Sequence, residues 1–305
     1  MKNPSLEDTH PQVADAPQDG RTEPTPRPPT TAVRIDVAGL SDKGKVREEN
    51  QDHFLVVRTG RYSETLTTSL PVGEIPEHSA ERGLLMMLAD GMGGHAAGEI
   101  ASRTVLVTMA HLILDHPEWI LKVDEDSIAD LHDRTVARYR ALDYALADRM
   151  QADPSLKGMG TTLTVAYSLG LDLFIGHVGD SRAYVFHEGT MRQLTHDHTH
   201  VQRLVDAGML TPEEAAAHQL RSVLTNVLGG ATRSVEVERH QARLAAGDRL
   251  LLCSDGLTGV VTDEEIGSIL AGAATSADAC RRLVDRALER GAPDNVTALV
   301  AWYEL

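Results

Sequence analysis

The sequence predicts an α+β protein in which β-sheets and amphipathic helices form separate layers. The first observation behind this prediction is that strand-like and helix-like segments come in grouped runs along the chain. The second is that three strand-like segments, 161–168, 171–178 and 182–187, follow one another with very short connections containing Gly or Asp. Such connections join antiparallel neighbours, because a parallel crossover needs a dozen or more residues. We therefore expect an antiparallel meander here, and no βαβ units.

The N-terminal 31 residues differ in composition from the rest of the chain. They hold seven of the thirteen prolines, mixed with Asp, Glu, Thr and Gln, and almost no large apolar side chains. Such a segment cannot bury enough apolar surface to offset the entropy lost on ordering. We expect residues 1–31 to be disordered and residues 32–305 to form one folded domain.

The folded part opens with two predicted strands, 33–40 and 52–58, on either side of a turn-rich stretch. The polar segment 59–83 is predicted to be a surface loop between strands. Apolar spacing predicts helices over 98–114 and 127–151. The remaining predicted elements are an interrupted helical segment 200–220, strand 249–253, helices 264–270 and 277–290, and strand 296–302.

Charge and cysteine content exclude several classes of protein. The formal net charge of −16 argues against binding of nucleic-acid phosphates. The two cysteines, Cys253 and Cys280, give neither a disulfide framework nor a zinc-binding spacing. The N-terminus has no signal-peptide pattern, and no apolar run has the length of a membrane span. We expect a monomeric, cytoplasmic protein with reduced cysteines that binds neither nucleic acid nor membrane.

Aspartates stand at the ends of several apolar runs. Three runs end in an aspartate and a fourth aspartate opens the last apolar segment; these residues are Asp90, Asp180, Asp255 and Asp294. An unpaired carboxylate is costly to remove from water, and several carboxylates in one place repel one another unless cations lie between them. Oxygen ligands suit Mg²⁺ and Mn²⁺. The pattern predicts a divalent-metal site built on strand ends.

Asp90 is the best candidate for a carboxylate that bridges two metals, since Gly91 lets the main-chain carbonyl approach a cation closely. Asp255 and the glycine after it repeat this arrangement, although a single Asp-Gly pair is most often only a turn. Arg47 could grip two phosphate oxygens at once, which a lysine cannot do in the same way. It could equally be one of many solvated arginines, and the residues alone leave both interpretations open.

Seven short motifs carry a resemblance to a known family. In chain order they are Arg47-x-x-Asn50-Gln51-Asp52, Leu88-Ala-Asp-Gly-Met-Gly-Gly-His95, Gly160-Thr-Thr-Leu163, Gly179-Asp-Ser-Arg182, Leu194-Thr-His-Asp-His-Thr199, Ser254-Asp-Gly256 and Pro293-Asp-Asn295. Together, from about residue 33 to residue 305, they resemble the metal-dependent protein phosphatase 2C family in its bacterial form. The resemblance implies a central β-sandwich of two antiparallel sheets flanked by α-helices, with the metals at one end. It also implies that residues 32–305 are a catalytic domain that hydrolyses phosphoserine and phosphothreonine by in-line attack of a metal-bridged hydroxide.

The resemblance also implies roles for individual residues. Two core Mn²⁺ or Mg²⁺ ions, with a weaker third ion, would be held by Asp52, Asp90, the Gly91 carbonyl, Asp180, Asp255 and Asp294. Arg47 would bind the substrate phosphate, and Arg47, Asp90 and Asp255 would form the catalytic set. The segment 200–230 falls where bacterial members carry a mobile flap. The implied partners are phosphorylated proteins and a cognate Ser/Thr kinase.

The chain departs from the family pattern at two positions. Gln51 stands where an acidic residue is frequent, and its amide can still hydrogen-bond a metal-bound water. Met92 stands where eukaryotic members have a histidine proposed as general acid, so no side-chain acid is assigned there. His95 lies close in sequence and is expected to orient the Asp90 loop.

Two other functions remain open at this point. One is a catalytically silent module of the same fold that only binds a phosphorylated partner, which loss of a core aspartate would favour. The other is a two-metal phosphodiesterase or nuclease, which the acidic charge disfavours. The alternating His196, His198 and His200 could suggest zinc, but within the resemblance this stretch is a structural loop.

Overall fold

The computed structural model describes residues 30–71, 74, 77–94, 97–115, 125–230 and 235–305. The predicted disordered segment lies almost wholly outside these residues. Its last residues, with Ala32, form the 3-10 turn Thr30–Ala32. The strands of the described residues are β1 (Arg34–Asp42), β2 (Asp52–Glu64), β3 (His78–Met92), β4 (Gly160–Thr161), β5 (Leu163–Leu169), β6 (Asp172–Val178), β7 (Arg182–His187), β8 (Thr190–Gln193), β9 (Glu238–Arg243), β10 (Arg249–Cys253) and β11 (Val296–Glu304).

These strands form two antiparallel sheets. One sheet has the order β1-β11-β10-β7-β8 and the other the order β2-β3-β5-β6-β9, with the short β4 paired to the end of β3. The predicted β-sandwich is therefore confirmed. The helices are α1 (Ala97–Asp115), α2 (Glu125–Ala152), α3 (His200–Asp206), α4 (Pro212–Ala216), α5 (Asp255–Thr258), α6 (Asp263–Gly272) and α7 (Ser276–Glu289).

Alternation along the strands separates three apolar layers. In β3 the residues Leu84, Met86 and Leu88 pack between the two sheets, whereas Leu85 and Met87 pack against α1 and α2. On the other sheet α6 and α7 cover the outer face. Because successive side chains of a strand point to opposite faces, the residue after Ala89 belongs on the inner face with Leu88. The strand pattern thus directs the Asp90 carboxylate to one end of the space between the sheets.

The prediction that 59–83 is a loop is wrong at both ends of this segment. β2 continues to Glu64 and β3 begins at His78, and these two residues pair in register as the end of a long hairpin. The part of the hairpin beyond the sandwich is exposed on both faces, so its sequence is polar and lacks the alternation that marks a half-buried strand.

The predicted meander is correct for its first two strands and wrong for the third. β5 and β6 are antiparallel neighbours, but β7 pairs with β10 and β8 in the opposite sheet. The chain crosses between sheets at Gly179, whose φ of +115° is one that L side chains rarely adopt. This crossing positions Asp180 at the boundary between the two sheets.

The interrupted helical segment predicted over 200–220 contains two short helices, α3 and α4; Gly208 lies between them and Pro212 begins α4. Threonine side chains cap both helices: Thr199 accepts a hydrogen bond from the Gln202 amide, and Thr211 forms a capping box with Glu214. Among the helices described, none combines the length and apolar content that crossing a membrane would require.

Candidate metal centre

The predicted aspartates meet at one end of the sandwich. Asp52 begins β2 and pairs in register with Asp90 on β3. Asp255 begins α5 directly after β10, and Asp294 lies two residues before β11, the strand beside β10. Asp180 follows β6 at the crossing between sheets. The structure therefore brings all five predicted metal-ligating aspartates to the same region.

Asp52 is buried and is held by two hydroxyl groups from the opposite sheet. Ser254 Oγ and Thr297 Oγ1 each donate a hydrogen bond of 2.7 Å to Asp52 Oδ2. Burial nevertheless raises the pKa of Asp52 to about 6, against the lowering effect of these two bonds. Its other oxygen, Oδ1, is buried without a hydrogen-bond donor among the described residues. A buried carboxylate oxygen with no donor is expected where a cation binds.

Burial and mutual repulsion act together on the remaining carboxylates. The pKa of Asp90 lies well above its ordinary value, first because of burial and then because of the neighbouring charges of Asp52, Asp255, Asp180 and Asp294. Burial and the charges of Asp294 and Asp52 raise the pKa of Asp255 to about 6. Each of these groups resists ionisation unless positive charge is placed among them.

Asp180 joins this group from the side of Asp255. It is only 8% exposed. Its pKa is raised well above the ordinary value by burial and then by the charges of Asp255 and Asp197. Arg182, two residues further on, is held by both oxygens of Asp197 at 2.7–3.1 Å. Asp180 is therefore an acidic neighbour of Asp255 that enters the site on a separate strand connection.

Two threonines fix the main chain of Asp90. The Asp90 amide donates to Thr162 Oγ1 at 3.0 Å. Its carbonyl accepts from the Thr162 amide at 2.9 Å and from Thr161 Oγ1 at 2.8 Å. Both main-chain polar groups of Asp90 are thus satisfied by β4 and the residue after it, so the carboxylate is presented from a rigid support.

Gly91 is required by packing around the same turn. A Cβ on Gly91 would lie 2.5 Å from the Gly98 carbonyl carbon and 2.8 Å from the Gln51 carbonyl oxygen. The start of α1 therefore approaches the end of β3 more closely than any side chain permits. Gln51 packs in this contact, since a Cβ on Gly98 would meet its Oε1 at 2.6 Å.

Arg47 faces the cluster from its exposed side. Its guanidinium donates a hydrogen bond of 2.7 Å to Asp294 Oδ2, and its side chain is 54% exposed. The Asp294 hydrogen bond raises the pKa of Arg47, against the lowering effect of burial, and the charges of Asp294, Asp90 and Asp255 add to the increase. The one predicted phosphate-binding residue is thus beside the aspartates.

Asn295 organises the loop that carries Arg47. Its side-chain oxygen accepts from the Gln51 amide at 2.8 Å, and its amide nitrogen donates to the carbonyls of Lys43 and Glu49, each at 2.9 Å. The buried side chain of Asn295 therefore ties both ends of this loop to the segment that carries Asp294.

Several of these supporting residues were not singled out by sequence reasoning. Ser254, Asn295 and Thr162 lie within the recognised motifs, but nothing in the sequence indicated what they contact. The sequence offers a weak indication that Thr297 has a polar partner, since it is a polar residue on the inner face of a largely apolar strand. His95 lies outside the described residues, so the expectation for it remains a prediction.

The residues present fit divalent cations with oxygen ligands. The donors are carboxylates, one buried oxygen among them lacks a donor, and repulsion opposes ionisation without added positive charge. These are the conditions under which Mg²⁺ or Mn²⁺ binds in proteins.

The sequence is similar to those of several known proteins. The family model described as protein phosphatase 2C matches residues 76–302. The serine/threonine protein phosphatase PstP of Mycobacterium tuberculosis is 45% identical over 217 residues, which are 71% of this chain and 40% of that protein. Protein phosphatase PhpP of Streptococcus pneumoniae is 32% identical over 273 residues, 88% of this chain and 98% of that protein.

The fold is also similar to that of a solved structure. The crystal structure of the catalytic domain of PstP in complex with two manganese ions superposes with a TM-score of 0.69 at 37% identity, covering 90% of this chain and 100% of that one. The chain spans well under half the length of the full PstP protein.

Proposed function

The chain belongs to the protein phosphatase 2C family, and on that basis we propose that it is a metal-dependent protein serine/threonine phosphatase. The observation that carries the proposal is the convergence of Asp52, Asp90, Asp180, Asp255 and Asp294 with one arginine at the end of the sandwich. No core aspartate of the family motifs is missing, which supports an active enzyme over a silent phosphoprotein-binding module.

The residues that would hold the ions follow from the motifs and the geometry together. Asp90 would bridge two Mn²⁺ or Mg²⁺ ions, with the Gly91 carbonyl, Asp255 and Asp294 on one ion and Asp52 on the other. Asp180 would hold a weaker third ion with Asp255, the carboxylate whose charge acts on it most strongly. Bound cations would polarise the phosphoryl oxygens and lower the pKa of the attacking water.

Charge balance supports metal dependence independently of the motifs. If all five carboxylates were ionised, they and one guanidinium would leave a charge of about −4 on the cluster, which would repel a phosphate dianion at close range. Two divalent cations would bring that charge to about zero. Cations would therefore favour both the ionisation of the carboxylates and the binding of the substrate phosphate.

Arg47 supplies the protein's own cationic group for the substrate. Its guanidinium can form two parallel hydrogen bonds to a phosphoryl group, which orients the phosphorus for in-line attack. To do so it exchanges the Asp294 carboxylate for the phosphate, and both side chains are exposed enough for this exchange. Met92, 39% exposed beside the centre, has no proton to give the leaving alkoxide.

The substrates we propose are phosphoserine and phosphothreonine in proteins. The aspartate cluster has exposed residues at its rim, so a phosphorylated segment of another protein can reach it. The reaction that supplies such substrates is phosphoryl transfer by a Ser/Thr protein kinase, and we propose a cognate kinase as a functional partner.

Hydrolysis of p-nitrophenyl phosphate and of a phosphothreonine peptide, with EDTA and with added Mn²⁺, tests the proposal. We expect turnover of both compounds only with the metal, and none for Asp90→Asn. Tight phosphopeptide binding without turnover would instead identify a silent binding module. Turnover of a bis-ester but not of a monoester would identify a phosphodiesterase.

A further inference from the structure

Two histidines bind the main chain of one residue, Gly179, beside the metal centre. His177, at the end of β6, is fully buried, and its Nε2 lies 3.0 Å from the Gly179 carbonyl oxygen. The Gly179 amide donates a hydrogen bond of 3.0 Å to Nδ1 of His198. The two rings lie side by side with centroids 5.0 Å apart. Gly179 immediately precedes Asp180, so the pair holds the main chain that presents this carboxylate.

The partners of the two rings fix their tautomers. A carbonyl oxygen only accepts, so His177 carries its proton on Nε2, and its Nδ1 accepts from Thr164 Oγ1 at 2.8 Å. A main-chain amide only donates, so His198 Nδ1 is unprotonated. The proton of His198 is then on Nε2, 3.4 Å from Glu238 Oε2.

These tautomers argue against a metal ion bound between His177 and His198. Ligand atoms of His177, His198 and Glu238 lie within 4.8 Å of one another, which is close enough for a shared cation. Each ring nitrogen, however, already has a partner, and His240 and the His196 amide also donate to Glu238. These bonds overcome the effect of burial and lower the pKa of Glu238 to about 2. The cluster is a satisfied hydrogen-bond network.

His198 also closes the base of a long surface segment, which we define as residues 199–225 and which includes α3 and α4. The His198 carbonyl accepts from the Thr225 amide at 2.8 Å and from Thr225 Oγ1 at 3.1 Å. Its Nδ1 lies 3.1 Å from the Asn226 amide nitrogen, which donates to the Glu236 carbonyl at 2.6 Å. Both ends of the 199–225 segment thus meet at this one residue.

The link from His198 to the metal centre is short and direct. The His198 amide donates to the Gly179 carbonyl at 2.8 Å, in addition to the bond between its ring and the Gly179 amide. Gly179 packs tightly against Thr162, because a Cβ on Gly179 would lie 2.5 Å from the Thr162 Cβ. Thr162 in turn bonds Ser181 Oγ at 2.9 Å and the Asp90 amide at 3.0 Å.

We propose that His198 is a positioning residue that couples the 199–225 segment to the main chain presenting Asp180. One part of this proposal rests on the proposed function: that loosening His198 displaces Asp180 and thereby slows turnover. The physical coupling itself is a property of the metal-free protein. If Nδ1 of His198 no longer accepts, the main-chain N–H of Gly179 and the side-chain nitrogen of Asn226 lose the same acceptor.

Two variants of His198 separate the bond that its Nδ1 accepts from Gly179 from the contact of its Nε2 with Glu238. In His198→Asn the side-chain oxygen occupies the place of Nδ1, so the bond from Gly179 is retained. In His198→Gln the amide nitrogen reaches the place of Nε2 and retains a donor for Glu238, but no acceptor remains for Gly179. His196→Gln is the matched control, because His196 is exposed and pairs with Asp206 instead.

Hydrogen exchange in EDTA, without substrate, measures the coupling. We expect His198→Gln to exchange about tenfold faster than wild type in peptides covering 178–181 and 199–225, with His198→Asn and His196→Gln within about twofold of wild type. Unchanged exchange at 178–181 in His198→Gln, or equal acceleration in the Asn variant, would overturn the proposal. About one zinc ion per purified chain, lost on His177→Gln, would overturn it in favour of a metal site.

A second variant covers the case in which His198→Gln does not fold. In Asn226→Asp the carboxylate draws a proton onto His198 Nδ1, so Gly179 loses its acceptor while the size of the side chain is unchanged. Only exchange at 178–181 tests the coupling in this variant, because Asn226→Asp also removes the bond to the Glu236 carbonyl. Faster exchange at 178–181 is expected, and unchanged exchange there contradicts the coupling. With Mn²⁺ and a phosphopeptide, His198→Gln should lower kcat about tenfold with KM within twofold. An inactive wild type would refute the proposed function and leave the exchange result standing.

Discussion

Arg47 and Asp294 form an ion pair of 2.7 Å on the exposed side of the aspartate cluster. Ion pairs this accessible contribute little to stability, about 0–1 kcal/mol. The same exposure lets the guanidinium leave Asp294 for an incoming phosphate at small cost. The pair is therefore better understood as a resting arrangement of the site than as a structural contact.

We expect Arg47→Ala to change the unfolding free energy by less than about 1 kcal/mol but to raise KM for a phosphopeptide about tenfold or more. A contact that strengthens in the transition state would lower kcat as well. Steady-state kinetics with phosphate as a competitive inhibitor measure the effect. Arg61→Ala, an exposed arginine on the β2–β3 hairpin, is the control. Equal inhibition by phosphate in Arg47→Ala and wild type would contradict the role of Arg47.

Asp90→Asn should have opposite effects on activity and on metal-free stability. It removes a charge from a group whose members repel one another, so the melting temperature in EDTA should rise by a few degrees. Turnover should fall at least a thousandfold, and the increase in melting temperature that Mn²⁺ gives wild type should disappear. Thermal unfolding with and without Mn²⁺ measures both. A lower melting temperature in EDTA would show that Asp90 is stabilising without a cation.

Much of this site could be predicted from the sequence because its aspartates are visible as local signals. An apolar run that ends in Asp90 or Asp255 is visible without knowing what it pairs with, and alternation along a strand gives the face of each side chain. The hydroxyl groups of Ser254 and Thr297 could not be assigned this way. Their contact with Asp52 depends on the register of β11 beside β10 and on the separation of two sheets.

The two errors in the fold have different physical origins. Short-range patterns report burial, and they say little about which sheet a strand joins. β7 follows β6 after a short connection, yet it pairs in the other sheet because Gly179 allows a positive φ at the crossing. The outer half of the β2–β3 hairpin is exposed on both faces, so its strands carry no apolar pattern.

Removal of residues 1–29 should leave both melting temperature and kcat unchanged, because their composition cannot build a core and no motif lies among them. Removal through Ala32 should lower the melting temperature by a few degrees. Thr30 Oγ1 accepts a hydrogen bond of 3.0 Å from the Arg82 amide, and Thr30 packs on Gly170. Thermal unfolding of the two truncated proteins makes the comparison. A loss of several degrees in the shorter truncation would show that residues 1–29 contribute to the folded domain.

His177 should give the protein a measurable loss of stability in acid. Burial, and then the neighbouring His198, lower the pKa of His177 to about 4, whereas an unfolded chain protonates it near pH 6.5. Between these values the unfolded state binds a proton that the folded state does not. The contribution of this residue to the unfolding free energy therefore falls as pH is lowered from 6.5 to 4, by on the order of 3 kcal/mol.

Comparison with His177→Gln isolates this contribution, because the titrating carboxylates are common to both proteins. The unfolding free energy of wild type minus that of the variant, measured with denaturant in EDTA, should be largest above pH 6.5 and decrease towards pH 4. His111→Gln, an exposed histidine of α1, controls for loss of a histidine in general. A difference that stays constant from pH 7 to pH 4 would show that folding leaves the pKa of His177 unchanged.

Asp180→Asn should impair turnover of phosphopeptides more than turnover of p-nitrophenyl phosphate. A serine alkoxide needs a proton as it leaves, whereas p-nitrophenolate needs much less, and Met92 cannot donate one. Asp180 is the acidic residue beside Asp255 that enters from a separate connection, so we expect the site to deliver this proton from the Asp180 side. The ratio of kcat/KM for the two substrates should shift about tenfold or more against the phosphopeptide. Asp197→Asn is the control, since the charge of Asp197 also raises the pKa of Asp180, but its carboxylate is paired with Arg182. Equal losses on both substrates, together with a lower melting temperature, would mean that Asp180 only stabilises the crossing between the sheets.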